Sequence, residues 1–255
     1  MSNKPFENKV AIVTGAGQGI GYEICRQLAL QGAKVILNDL DSSLAENAAK
    51  NIREENGNCI ELSGDSSNLE FIQSMVDLAV KEYGQLDIVI ANAGITLFGD
   101  FLTYSPVSFN SVLQVNLAGT FFLAQVASKQ MIKQGSGGSL LFTSSVTGHQ
   151  AHKNLAAYAM TKAAIEMLAR NLVIELSSYK INVNTIAPGA TMTERTLDDP
   201  EYEATWSKLS PTGRPSTAKD IADSALFLVS DKAKQITGQC LVIDGGWSCI
   251  SPSPY

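Results

Sequence analysis

The chain has 255 residues, of which 45% are hydrophobic, enough for one large domain or two small ones. Its formal net charge is −6, with 25 acidic against 19 basic residues, and it has no run of five basic residues. These values argue against nucleic acid or an anionic membrane as a partner.

The N-terminal residues and the cysteines predict a cytoplasmic protein. The opening residues, MSNKPFENK, are polar and lack a signal-peptide pattern, and no run of eighteen apolar residues suggests a membrane span. Four cysteines (Cys25, Cys59, Cys240 and Cys249) are scattered, with no CxxC motif and no Cys/His cluster in the sequence. We therefore expect a reducing compartment, no disulfide and no metal site.

Short runs rich in β-branched residues alternate with longer amphipathic segments along the chain. This alternation predicts an α/β fold, a doubly wound parallel sheet of about seven strands with helices on both faces. We find no linker and no repeat, so we expect a single domain over residues 1–255. The predicted strands are 9–14, 34–38, 59–63, 86–91, 139–144, 181–187 and 239–243.

Helices are predicted between these strands, at residues 19–32, 41–57, 67–84 and 156–178. The third is expected to open with a capping box, Ser67-x-x-Glu70, and to end at Gly84. The least regular segment, residues 188–217, carries four prolines. It fits either a lid on the substrate side or a plain surface excursion.

A glycine-rich turn, TGAGQGIG at residues 14–21, follows the first predicted strand and opens the first helix. Its glycines, Gly15, Gly19 and Gly21, have the spacing G-x-x-x-G-x-G. Open α/β sheets bind the pyrophosphate of a dinucleotide at such a turn, because glycine lets backbone N–H groups approach the phosphates. The turn therefore predicts a dinucleotide cofactor.

Asp39 ends the second predicted strand, eighteen residues after Gly21, where a carboxylate can bind the adenosine ribose. A carboxylate there repels the 2′-phosphate of NADP. No basic residue lies beside it, and the variable position of the glycine turn is Gln18, so NAD is favoured over NADP. Asp39 or Asp41 could instead cap the next helix. We assign the cap to Asp41 or Ser42 and the ribose contact to Asp39.

Tyr158 and Lys162 are four residues apart on a predicted helix and so share one face. A nearby ammonium group lowers the pKa of a phenol, ordinarily about 10, which suits it to proton transfer. Ser145 lies thirteen residues before Tyr158, at the end of a strand, where it can hold a substrate oxygen. This pattern predicts proton transfer beside a nicotinamide.

The same segment contains both histidines, His149 and His152, which makes a Ser–His hydrolase the competing hypothesis. It would leave the glycine turn unexplained, and the chain has no G-x-S-x-G elbow. We instead interpret the histidines either as contacts to a polyol or sugar substrate or as solvent-facing loop residues, and we prefer a substrate contact for at least one.

Together these motifs resemble the short-chain dehydrogenase/reductase family, in its single-domain branch, over Lys9 to about Trp247. The resemblance implies a Rossmann-type fold and a catalytic set of Asn116, Ser145, Tyr158 and Lys162. It implies a cofactor site at Gly15, Gln18, Gly19, Ile20, Gly21, Asp39, Asp65, Ser66, Asn92, Ala93, Gly94, Tyr158, Lys162, Pro188, Gly189, Thr191 and Thr193. Ala91 stands where the family's N-N-A-G segment has its first Asn.

The expected function is NAD-dependent interconversion of a secondary alcohol or sugar hydroxyl and its carbonyl, with Tyr158 as general acid/base. The resemblance is nearest to glucose 1-dehydrogenase-like and 3-oxoacyl-ACP reductase-like members. The alternatives are a 3-oxoacyl thioester reductase and a catalytically silent NAD(H)-binding regulator. The family also implies a homotetramer, with regions 106–133, 156–178 and 240–255 at its interfaces.

Overall fold

The computed structural model describes residues 4–251, and within this range seven strands form one parallel sheet. The sheet strands are β1 (Val10–Val13), β2 (Lys34–Leu37), β3 (Asn58–Glu61), β4 (Ile88–Ala91), β5 (Gly138–Thr143), β6 (Ile181–Pro188) and β9 (Cys240–Ile243), and two short strands, β7 (Thr191–Met192) and β8 (Ser216–Thr217), pair separately. The strand order of the sheet is β3-β2-β1-β4-β5-β6-β9. Every predicted strand is present within two residues of its expected bounds, which confirms the doubly wound α/β fold.

Helices cover both faces of this sheet. The helices are α1 (Gly19–Leu30), α2 (Ser42–Glu54), α3 (Leu69–Tyr83), α4 (Pro106–Val112), α5 (Thr120–Gln134), α6 (Ala156–Leu176), α7 (Tyr202–Leu209) and α8 (Ala218–Val229). One core cluster packs α1 and α8 against the sheet, and the other packs α3, α5 and α6 against the opposite face. All four residues of β1 and of β4 are buried, as expected for central strands covered on both sides.

The strand order reverses at β1, whose neighbours are β2 and β4. Ligands of open α/β sheets bind in the crevice beyond the carboxyl ends of the strands at such a point. The chain ties the two central strands together there. Thr14 Oγ1 accepts hydrogen bonds from the backbone N–H groups of Asn92, at 3.2 Å, and Ala93, at 3.1 Å.

Of two predictions about helix caps, one is wrong and one is confirmed. The capping box at Ser67 and Glu70 is wrong, because α3 begins at Leu69 and Asn68 caps it, accepting from the Phe71 N–H at 3.0 Å. Asp41 caps α2 as predicted, accepting from the Leu44 N–H at 3.0 Å.

The predicted helical region 106–133 is divided by a π-helical segment, Leu113–Gly119, between α4 and α5. By length and composition alone the whole stretch, Pro106–Gln134, would be long and apolar enough to cross a membrane. In this fold it belongs to the helical layer, where buried residues of α5 such as Leu123 and Ala127 join the second core cluster.

The irregular segment 188–217 is closed at its base by two short parallel strands, β7 (Thr191–Met192) and β8 (Ser216–Thr217). Thr191 pairs with Ser216, and Met192 pairs with Thr217. Between them the chain passes through α7. The segment is therefore an excursion that leaves the sheet at the end of β6 and returns to the start of α8.

Candidate active site

A cleft of about 470 Å³ lies along the carboxyl ends of the central strands. It is bounded by the glycine turn, the end of β2, the loop after β4, the ends of β5 and β6, and the first turns of α6. The predicted site residues that line it are Gly15, Gln18, Gly19, Ile20, Gly21, Asp39, Asn92, Ala93, Gly94, Ser145, Tyr158, Lys162, Pro188, Gly189, Thr191 and Thr193.

The glycine turn has a conformation that side chains would not permit. Gly15 and Gly19 have φ angles of 60° and 62°, in the left-handed region. A Cβ on Gly21 would lie 2.4 Å from the carbonyl oxygen of Gly15. Gln18 precedes α1 in an extended conformation, and its side chain accepts no hydrogen bond from the helix. The first N–H groups of α1 therefore have no side-chain cap. These features fit a dinucleotide pyrophosphate.

Asp39 bridges the end of β2 and the glycine turn. Its Oδ2 atom accepts a hydrogen bond from the Gly17 N–H at 2.9 Å, and its Oδ1 accepts from the Asp41 N–H at 3.1 Å. Each carboxylate oxygen can accept a second hydrogen bond. The Asp39 carboxylate therefore still has acceptor capacity for a ligand in the cleft.

Ser145, Tyr158 and Lys162 come together at the other end of the cleft. Lys162 is 3% exposed, and its Nζ donates to the Thr143 carbonyl at 2.6 Å. This nitrogen lies 5.5 Å from the centre of the Tyr158 ring. Ser145 follows β5, and its Oγ accepts from the Thr147 N–H at 3.2 Å. A phenol, an ammonium group and a hydroxyl therefore share one surface.

Asn116 lies in the π-helical segment and is fully buried. Its Oδ1 accepts from the Ile95 N–H at 2.8 Å, and its Nδ2 donates to the Ile95 carbonyl and to Thr161 Oγ1. A Cβ on Gly94 would lie 3.4 Å from both Asn116 Oδ1 and Lys162 Nζ. Asn116 is thus close to the end of the cleft that holds Ser145, Tyr158 and Lys162, which we call the reacting end, but it does not line the cleft. The backbone of Gly94 lies between Asn116 and Lys162.

Comparison with known proteins decides the family. A family model described as enoyl-(acyl carrier protein) reductase matches residues 15–248. The L-rhamnose-1-dehydrogenase of Scheffersomyces stipitis is 37% identical, over 94% of this chain and 96% of its own. The 7alpha-hydroxysteroid dehydrogenase of Escherichia coli is 33% identical, over 96% of each chain. The crystal structure of a short-chain type dehydrogenase/reductase from Mycobacterium marinum superposes with a TM-score of 0.91 and 30% identity, covering 97% of this chain and 99% of that one.

The chain belongs to the short-chain dehydrogenase/reductase family. The predicted family, fold and enzyme class are confirmed: it is an oxidoreductase that acts on CH–OH groups with a nicotinamide cofactor.

Five residues predicted for the dehydrogenase site lie outside the lining of its cleft: Asp65, Ser66, Asn116, His149 and His152. Asp65 is exposed, and its Oδ1 accepts from both the N–H and the Oγ–H of Ser67, each at 2.8 Å. The His149 ring is turned to Glu166, and the His152 ring packs on Trp247 at 5.1 Å between centroids. The geometry gives the predicted substrate contacts of the histidines no support.

Several cleft residues of the dehydrogenase were missed by the sequence reasoning. They come from the loop after β4, such as Phe98, from the end of β5, at Thr143 and Ser144, and from the excursion 188–217, which reaches across to the glycine turn. Thr193 Cγ2 lies 3.4 Å from where a Cβ on Gly19 would be. Tyr202 of α7 lines the cleft, and its hydroxyl accepts from the Thr191 N–H at 3.1 Å. This closeness favours the lid interpretation over the plain excursion.

Proposed function

We propose that this short-chain dehydrogenase is NAD-dependent and oxidises a secondary alcohol or a sugar hydroxyl. One observation carries the proposal: Ser145, Tyr158 and Lys162 line the same cleft as the glycine turn and Asp39. This arrangement supports a reaction in which Tyr158 transfers a proton beside a dinucleotide held at the glycine turn. The nicotinamide, when bound, supplies the hydride acceptor.

In the proposed mechanism Tyr158 takes the proton of the substrate hydroxyl through its phenolic oxygen. Lys162 provides a positive charge beside the Tyr158 ring. A hydrogen bond from its Nζ to the Thr143 carbonyl, at 2.6 Å, holds it in that position. Ser145 orients the substrate oxygen with its Oγ. Asn116, whose amide is bound on both sides, positions a water that links Lys162 to solvent. Positioning by these groups lowers the barrier because no rearrangement is needed during the reaction.

The choice of NAD over NADP rests on Asp39. Its carboxylate lines the cleft where the glycine turn meets β2, and its Oδ2 already accepts from the Gly17 N–H. A 2′-phosphate at this position would meet a negative charge, and like-charge contacts cost several kcal/mol. A ribose 2′-hydroxyl would instead donate a hydrogen bond to the carboxylate.

Two matched substitutions test this assignment. Asp39→Asn removes the charge and keeps a hydrogen-bond acceptor, so the ratio of kcat/KM for NAD to that for NADP is expected to fall by about 100-fold. Asp41→Asn removes the same charge two residues away and keeps the helix cap, and it should leave the ratio unchanged. A parent enzyme that prefers NADP, or equal effects of the two variants, would contradict the assignment.

The substrate class is proposed from the relatives, among which are enzymes named for L-rhamnose and for 7alpha-hydroxysteroids. A 3-oxoacyl thioester is the second candidate. It is favoured by the matching family model, described as an enoyl-(acyl carrier protein) reductase, and by Phe98, a cleft residue that is 71% exposed. Absorbance of the reduced cofactor across aldoses, polyols, secondary alcohols and 3-hydroxyacyl thioesters separates these candidates. Activity confined to the thioesters would overturn the leading proposal.

We also propose a homotetramer. Exposed apolar side chains on α6 and β9 support it, including Met167 at 53%, Ile174 at 85% and Val242 at 37%. Single exposed apolar residues are common, but three such residues on the predicted interface regions support a surface that another subunit covers. The last four residues of the predicted region 240–255 lie outside the described residues. A light-scattering mass of one 27.2 kDa chain would contradict the tetramer.

A further inference from the structure

Three side chains from distant parts of the sequence meet behind the reacting end of the cleft. His149 follows β5, Glu166 lies on α6, and Cys240 begins β9. His149 Nε2 is 2.9 Å from Glu166 Oε1 and 3.4 Å from Cys240 Sγ. All three potential ligand atoms lie within 4.8 Å of one another. We call this group the His149 cluster.

One nitrogen of the cluster, His149 Nε2, faces two possible partners. Glu166 Oε1 already accepts a hydrogen bond from Ser144 Oγ at 2.7 Å. The same oxygen faces His149 Nε2, and this nitrogen also faces the Cys240 sulfur. A neutral imidazole nitrogen carries either one proton or one lone pair, so it can make a good hydrogen bond to only one of these neighbours. Three electron-rich atoms therefore converge on one small volume.

We propose that the His149 cluster binds a divalent transition-metal ion of the zinc type. Zinc takes imidazole nitrogen, carboxylate oxygen and thiolate sulfur at 2.0–2.3 Å. Ligand atoms of a tetrahedral centre with such bonds lie about 3.5 Å apart. The separations of 2.9 and 3.4 Å in the cluster are close to this value, so small side-chain shifts would admit an ion.

The surroundings of the cluster fit an ion of this charge. The carboxylate of Glu166 and a thiolate at Cys240 would together neutralise a divalent cation. Ser144 would act as an outer partner that orients the carboxylate, as is usual around protein metal sites. The Glu166 side chain is 7% exposed and the His149 side chain 34%, so the ion has a buried anchor and a path from solvent. Three protein ligands leave a fourth position for water.

Binding of the ion should depend on pH. A cysteine binds zinc as the thiolate, so the Cys240 thiol must lose its proton when the ion binds. Affinity should therefore increase as the pH rises. The bound ion would tie the loop after Ser145 to α6 and to the last strand of the sheet. Because the cluster lies outside the lining of the cleft, the ion would not contact the substrate of the proposed reaction.

The test uses the full-length protein, treated with a chelator and then titrated with Co²⁺ at mildly alkaline pH. We expect one equivalent to bind and to give the near-ultraviolet absorption of a cobalt–thiolate bond. Cys240→Ser should abolish this band, and His149→Gln should weaken Co²⁺ binding by about 10-fold or more, as loss of a ligand does at least as much as loss of an outer partner.

Two variants serve as matched controls. Cys249→Ser removes an exposed cysteine from the same end of the chain, and His152→Gln removes the other histidine of the same loop. Both should keep the band and the affinity. The proposal is overturned if the parent protein gives no saturable band, if Cys240→Ser keeps it, or if the controls lose it equally. Because His149 is in a partly exposed loop, its variant tests the site even if Cys240→Ser does not fold.

Discussion

The two ends of the cleft are built in different ways. At the glycine turn, Asn92 links the two central strands, since its Nδ2 donates to the carbonyls of Thr14 and Gly15. At the substrate end, the walls come from the excursion 188–217 and the loop after β4, whose lining residue Phe98 is 71% exposed. The cofactor end is therefore set by backbone geometry in the core, and the substrate end by side chains on surface segments, which can change without disturbing the sheet.

The largest effect is expected from Tyr158→Phe, which tests whether the residues at the substrate end catalyse the reaction without contributing to cofactor binding. Tyr158→Phe keeps the ring and removes the phenolic oxygen, so kcat/KM should fall by about 10² to 10⁴-fold through loss of general acid/base catalysis. The Kd for NADH, measured by fluorescence, should change little. Activity that survives in this variant would refute the mechanism, and a parallel loss of NADH binding would refute the separation of the two ends.

A smaller effect is expected from crowding the cofactor end. The Cβ of Gly21→Ala would lie 2.4 Å from the Gly15 carbonyl oxygen and 2.6 Å from Asn92 Nδ2, so the turn must open. Overpacking of this kind costs about 1–3 kcal/mol, and we expect the Kd for NADH to rise by about 10- to 100-fold.

The matched control for this variant is Gly84→Ala, at the end of α3. Gly84 has a φ of 82° and no heavy atom within 4 Å of its would-be Cβ. The added side chain should lower the free energy of unfolding by about 1–2 kcal/mol through backbone strain, without changing the Kd for NADH. If both variants weaken NADH binding equally, the effect of Gly21→Ala is one of stability and not of the turn.

The difference between the two ends also explains what the sequence could predict. Short spacings within strand–turn–helix units were enough to predict the glycine turn, Asp39 and the Tyr158–Lys162 pair. Such units fold as their local sequence dictates. Asn116 lies on a π-helical segment, which the periodicity of the sequence does not indicate. His149 meets Glu166 and Cys240 only because the sheet brings β5 and β9 to either side of β6.

The smallest effect concerns the lid. The Tyr202 hydroxyl accepts from the Thr191 N–H at 3.1 Å, which fixes α7 against the start of the excursion. Tyr202→Phe removes an acceptor worth about 0.5–1.5 kcal/mol, so the KM for substrate should rise by about 2- to 10-fold with kcat and the Kd for NADH little changed. Tyr83→Phe is the matched control, since its hydroxyl donates to Asn58 Oδ1 at 2.8 Å, in the β3–α3 region and outside the cleft lining. It should leave KM unaltered.

The pH dependence sharpens this test. Burial raises the pKa of Tyr202, so its phenol is neutral in the folded enzyme. A group with a raised folded-state pKa contributes stability below its ordinary pKa, about 10 for a phenol, and loses it as the pH rises through the raised value. The parent enzyme should therefore lose lid closure, seen as a rising KM, only above about pH 10. Tyr202→Phe should lack that component, and an unchanged KM profile in both enzymes would show that α7 does not control access to the substrate end.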